Sequence, residues 1–183
     1  MQITCDREKF QSAFQVAATV ANARSPKEIL QNVKLVVDDS AWLMATDMEM
    51  GIRINVDGVT IDQPGAALLP VARFGLILRE NNDQQIHITT QGTETLVETE
   101  RSSFRLPSAN PKEYPNVETD TEQSYHELSA RLLRDLIRRT SFCTDQESTR
   151  YALAGVLFEL TQTEAYSIGT DGRRMARMSG IGK

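Results

Sequence analysis

The chain has 183 residues, 40% of them hydrophobic and 25% charged, a balance that fits a globular protein and excludes disordered, collagen-like and coiled-coil chains. No stretch approaches the roughly 20 apolar residues of a membrane-spanning helix, and MQITCDREKF lacks a signal peptide's apolar run, so a soluble cytosolic chain is expected. The net charge of −5 argues against a uniformly basic nucleic-acid binder, but it is uneven: residues 1–123 carry 11 basic against 18 acidic side chains, and residues 124–183 carry 9 against 7.

The first helical pattern is DREKFQSAFQVA from Asp6, where Phe10, Ala13, Phe14, Ala17 and Val20 recur on one face and Glu8, Gln11 and Gln15 take the other. Runs of strand composition follow in LQNVKLVVDD, WLMATDMEM and GIRINV, with Trp42 and Met44 expected in the core. A second helical pattern, PVARFGLILREN from Pro70, precedes QIHITTQ, TETLVETE and SSFRLP. Residues 108–124, proline-bearing, polar and without apolar periodicity, read as an interdomain linker. The third helix, SARLLRDLIRRT from Ser129, leads into AGVLFELTQ, AYSIGTD and RRMARMSG. Each helix follows a short segment of strand character, so the predicted class is α+β, built of repeated β-α-β-β-β modules with helices on one face of antiparallel sheets.

Two modules would make a domain over residues 1–117, residues 118–124 a linker, and residues 125–183 a single further module. A lone module leaves an open sheet edge and a half-covered helix face. The expectation is therefore an N-terminal portion of something longer; the alternative is a short protein that completes its second domain by dimerisation.

In the third helix, Leu132, Leu133, Leu136 and Ile137 fall within an arc of about 140°. Arg131, Arg134 and Arg138 lie opposite, with Arg139 at the margin and Asp135 the only acid. A solvated helix face usually mixes signs, so this one leans toward phosphate contact without base readout. Candidate reactive centres are sparse. Cys5 and Cys143 lack metal-ligand spacing and read as reduced core thiols, His87 and His126 stand far apart, and no segment matches a phosphate-binding glycine loop, so no catalytic residue, metal or cofactor is expected. Asp47 and Glu49, placed on one face by an alternating strand, would with Asp171 be the ligands of a metal-dependent nuclease, a rival reading. Asp171-Gly172 by itself reads as a β-turn with Arg173 and Arg174 exposed.

Four ordered strings, ATDMEMGIRI from Ala45, EYPN from Glu113, RYALAGVLFE from Arg150 and TDGRRMA from Thr170, resemble the beta subunit of bacterial DNA polymerase III, the sliding-clamp family, from Met1 to about Gly180. The resemblance implies a DNA-clamp fold and a noncatalytic processivity subunit of a DNA-directed DNA polymerase, itself a nucleotidyltransferase complex. Members have three domains per chain and form a head-to-tail homodimeric ring around duplex DNA in the bacterial cytoplasm, at the nucleoid. Helices line the hole, so Arg131, Arg134 and Arg138 would face DNA, joined by Arg24, Arg73 and Tyr151; Ala152 replaces a second family aromatic. Leu153, Thr170, Gly172, Arg173, Arg174 and Met175 match the near wall of a cleft for peptide motifs of the polymerase catalytic subunit, the clamp loader and repair proteins. Arg173 stands where many members have histidine. The family ring joins the first domain to another chain's third, so these 183 residues are not expected to close one. The second rival is a peptide-binding adaptor that never meets DNA.

Overall fold

Strand β1 (Gln2–Asp6) runs directly into helix α1 (Arg7–Ala18), and Asp6 makes the change: its Oδ1 accepts the N–H of Lys9 at 3.0 Å, satisfying a donor that the first helical turn leaves unpaired. The structure is a computed structural model and describes residues 1–21, 23–117, 126–145 and 151–181. After α1 come β2 (Asn32–Val37), β3 (Ala41–Thr46), β4 (Gly51–Asn55), β5 (Val59–Gln63) and β6 (Gly65–Pro70). Helix α2 (Val71–Glu80) follows, then β7 (Gln85–Gln91), β8 (Glu94–Glu98) and β9 (Ser103–Pro107). The chain divides into two compact units, residues 1–120 and 121–183.

The first unit holds two antiparallel sheets, ordered β5-β1-β7-β8-β9 and β4-β3-β2-β6. The modules exchange their first strands: β1 pairs with β7 (Thr4 opposite His87), and β6 pairs with β2 (Ala67 opposite Leu35). Strand β5 lies beyond the three strands expected for the first module and extends the sheet past β1. Period-two alternation sends Val33, Leu35 and Val37 inward to a core shared by both sheets and both helices. There the Phe74 ring lies 5.8 Å from Phe10 and 5.0 Å from Phe14 in tilted, edge-directed contacts that each contribute about 1 kcal/mol beyond burial. Cys5 is a free buried thiol, pushed up to about 12 by burial and by Asp6 beside it.

Three expectations are corrected in this unit. Residues 108–117 are not linker but a strap packed beside β6 and across the Asn32–Thr46–Gly51 end of the outer face of the four-stranded sheet. Ser108 Oγ meets the N–H and C=O of Leu68, and the buried Tyr114 hydroxyl accepts the Thr46 N–H at 3.2 Å and donates to the Asn32 carbonyl at 3.0 Å. Trp42 and Met44 lie on that outer, half-buried face rather than in the core, because the inward positions of β3 belong to Ala41, Leu43 and Ala45. Finally, WLMATDMEM is strand only to Thr46; residues 47–50 turn the chain into β4.

The second unit contains α3 (Ala130–Arg138) and the antiparallel sheet β10 (Leu157–Leu160), β11 (Glu164–Thr170), β12 (Met175–Ile181). Ser129 caps α3 by accepting the Leu132 N–H at 3.2 Å. The helix reaches the sheet because two strand positions lack a side chain: a Cβ at Gly169 would stand 2.1 Å from the Thr140 carbonyl oxygen, and one at Gly180 would stand 2.3 Å from Leu132 Cδ1. Leu136 is fully buried, but Leu133 and Ile137 remain 40% and 42% exposed, so only half of the expected apolar arc is covered. Phe10 and Phe14, at the same distances after their own cap, are buried against α2. Cys143 is buried and free. Among the described residues no helix is long and apolar enough to cross a membrane.

Candidate functional site

Helix α3 keeps the predicted charge separation. Arg131, Arg134, Arg138 and Arg139 are all exposed, and among the described residues no carboxylate lies within 4.0 Å of any of them; the ion pairs found are Arg7–Glu8, Arg79–Glu80 and Arg174–Asp171. Arg138 in the last turn also favours the helix C-terminus electrostatically. Such a face offers planar, permanently charged donors to a phosphate chain, with Asp135 the single acid among four arginines.

In the first unit, Arg73 sits exposed in the first turn of α2 and lines a surface concavity with Ala23, Glu28, Gln31 and Asn32. Arg24, also exposed, adjoins Ala23, so the fold brings these two predicted basic positions to one neighbourhood across 49 residues of sequence.

The turn between β11 and β12 is built by its first two residues. Thr170 Oγ1 accepts the Gly172 N–H at 3.0 Å and donates to the Arg174 carbonyl at 2.8 Å; Asp171 Oδ1 accepts the N–H groups of Arg173 and Arg174, both at 2.9 Å. Those backbone donors, with the Arg174 guanidinium, hold the Asp171 carboxyl down at about 2. Gly172 has φ +84°, which favours glycine. The structure separates two arginines that the sequence left equivalent. Arg174 donates from Nε to Asp171 Oδ2 at 2.9 Å and from a terminal nitrogen to the Phe142 carbonyl at 3.2 Å, tying the turn to residues 141–143. Arg173 and Met175 project exposed, the latter by 67%. Leu153, half-buried, ends a short 3-10 turn begun by Tyr151, and its carbonyl accepts the Asp145 N–H. Phe142, 61% exposed, joins this set through Arg174; a lone aromatic in a polar turn gave no periodic signal by which to find it.

A near-identical turn closes β3 and β4. Thr46 Oγ1 accepts the Met48 N–H at 3.0 Å and donates to the Met50 carbonyl at 2.6 Å, while Asp47 Oδ1 accepts from Glu49 and Met50 at 2.9 and 2.7 Å. These bonds lower the Asp47 pKa. The premise of the nuclease reading, an extended strand placing Asp47 and Glu49 side by side as ligands, is thereby corrected: Asp47 spends its oxygen on the backbone of a turn. Among the described residues no three His, Cys, Asp or Glu side chains are grouped to hold a metal.

Comparison with known proteins places this geometry in a family. Residues 1–118 match the family described as DNA polymerase III beta subunit, N-terminal domain, and residues 127–180 match its central domain. The beta sliding clamp of Pseudomonas putida is 32% identical over 181 residues, covering 98% of this chain and 49% of that protein. The Escherichia coli K12 beta sliding clamp is 30% identical over 178 residues, covering 96% and 49%. The chain thus spans about half the length of the curated relatives it matches. Among solved structures, the DNA polymerase III subunit beta of Pseudomonas aeruginosa superposes with a TM-score of 0.90 at 31% identity, over 98% of this chain and 50% of that one. The same organism's clamp has also been solved bound to griselimycin, matching at 30% identity and TM-score 0.87 over 99% and 50%. Two consecutive domain matches over nearly the whole chain, with the exchanged-strand fold beneath them, establish that this protein belongs to the DNA polymerase III beta-subunit family.

Proposed function

We propose that this chain supplies part of a sliding clamp: a noncatalytic ring that encircles duplex DNA and keeps the replicative polymerase attached to it in the bacterial cytoplasm. Residues 1–117 act as one clamp domain, and residues 125–183 as the first module of the next. The observation that carries this reading is the α3 face, where Arg131, Arg134 and Arg138 are exposed with no carboxylate within 4.0 Å among the described residues. Diffuse attraction of that kind holds phosphates without choosing a sequence, which suits a protein that must slide. Arg24 and Arg73 are the phosphate contacts of the first unit, and they and Tyr151 are assigned to DNA by family resemblance.

The 170–175 turn is the second working surface. Leu153, Thr170, Gly172, Arg173 and Met175, with Phe142, form one wall for short apolar peptide motifs of the polymerase, the clamp loader and other clamp-binding proteins. Arg174 positions that wall through Asp171 and the Phe142 carbonyl.

The test is salt-dependent association with a fluorescent duplex followed by anisotropy. Replacing Arg131, Arg134 and Arg138 with alanine is expected to weaken binding at low salt at least tenfold and to flatten the dependence of log K on log salt by up to about 3. Unchanged binding would favour a peptide adaptor that does not touch DNA. Labelled duplex incubated with the protein and magnesium should stay intact; cleavage would sink the noncatalytic reading.

A further inference from the structure

On the outer face of the sheet β4-β3-β2-β6, Lys34, Met44 and Arg53 stand opposite one another across three strands, and Val36 and Trp42 form the adjoining row. Strand spacing puts the two cationic residues roughly 10 Å apart at the backbone, with the thioether between them. The Arg53 guanidinium lies 3.9 Å from the centroid of the Trp42 ring, and the indole N–H donates to Ser40 Oγ at 2.7 Å, which fixes the ring. Among the described residues no carboxylate comes within 4.0 Å of Lys34 or Arg53, and no outward position on these three strands is acidic. Residues 1–120 carry 17 acidic against 11 basic side chains, so this is a cationic spot with an apolar floor inside an acidic unit.

We infer that this face is a docking site for a short acidic peptide segment in which carboxylates alternate with aliphatic side chains. One carboxylate is received by the N–H fork of Arg53, which is exposed and makes no ion pair among the described residues, and a second by the Lys34 ammonium. Aliphatic side chains between them cover Met44, Val36 and the open part of Trp42. Charge and geometry both disfavour a nucleic acid here. A guanidinium already stacks on the ring that would otherwise receive a base, and two cations match two carboxylates of a short segment but leave the rest of a polyphosphate chain against a unit with 17 acidic and 11 basic side chains. The site is distinct from the α3 arginines and from the 170–175 turn, and it does not depend on the function proposed for either.

Trp42 is the only tryptophan of the chain and therefore reports directly on this face. The probe is an acetylated hexapeptide of alternating glutamate and leucine, titrated into the 183-residue protein while tryptophan emission is followed. The expected result is a saturable change with three properties: at least tenfold weaker with glutamine in place of glutamate, at least tenfold weaker in Lys34→Gln/Arg53→Gln, and weakened by raising salt from about 50 to 500 mM. The comparison of the two peptides uses the unaltered protein, so it stands even where the double variant folds poorly. No saturable change, equal binding of both peptides, or tighter binding of an oligothymidylate than of the acidic peptide would each overturn the proposal.

Discussion

Met48 and Gly172 occupy the same position in two copies of one turn, with φ of 83° and 84°, although one lies between β3 and β4 and the other between β11 and β12. Both turns begin Thr-Asp, and both use the threonine hydroxyl and one aspartate oxygen to bind the same four backbone groups. The side chains specify the turn so fully that methionine is held where glycine is favoured. Open space surrounds the Cβ position of Gly172, so Gly172→Ala isolates the backbone term. It is expected to cost about 1 kcal/mol in denaturant titration. An unchanged midpoint would show that the turn relaxes freely.

Asp171 makes the second unit sensitive to acid. Its carboxyl is held at about 2 in the folded protein, below the ordinary 3.8, so its contribution to stability is fully present above about pH 4 and is lost as pH falls through 2. Thermal unfolding of the second unit, followed by hydrogen exchange or near-ultraviolet circular dichroism, should decline over that window. Asp171→Asn should unfold at lower temperature near neutrality and show a flatter acid limb. Parallel profiles for the two proteins would count against the assignment.

The contact between α3 and its sheet passes through Gly169. An alanine methyl would overlap the Thr140 carbonyl oxygen at 2.1 Å, and backbone cannot step aside as a side chain can. Moving that segment also breaks the 2.9 Å bond from Ser167 Oγ to the Leu136 carbonyl. Gly169→Ala is expected to destabilise the second unit by about 3 kcal/mol and to expose the α3 amides to exchange, leaving Trp42 emission from the first unit unchanged. Retained protection of α3 would contradict this packing.

Thr95 points into the core from β8, fully buried, and among the described residues its hydroxyl finds no hydrogen-bond partner. Its burial was therefore uncompensated, and valine has the same shape without the polar atom. Thr95→Val should raise the stability of the first unit by about 1 kcal/mol, read from the urea midpoint of Trp42 fluorescence. A lower midpoint would mean that the hydroxyl is satisfied in solution.

Local pattern alone set out the three helices, most of the strands and the modular repeat, because 3.6- and 2-residue periodicities are properties of neighbouring residues. It also displayed the α3 arginines, whose common face depends only on helical geometry. What only the tertiary structure decided was everything carried by backbone groups and by distance along the chain. Exchange of β1 and β6 between modules leaves no local mark, since ladder hydrogen bonds are the same whichever strand supplies them. The strap at 108–117 looked like linker because one buried tyrosine has no period, and its partners Asn32 and Thr46 lie 82 and 68 residues away. Trp42 and Met44 alternated properly, but alternation does not say which face of a sheet is inside. Arg173 and Arg174 are chemically identical in sequence; Asp171 and the Phe142 carbonyl engage Arg174 and leave Arg173 projecting, because adjacent side chains leave a turn in different directions.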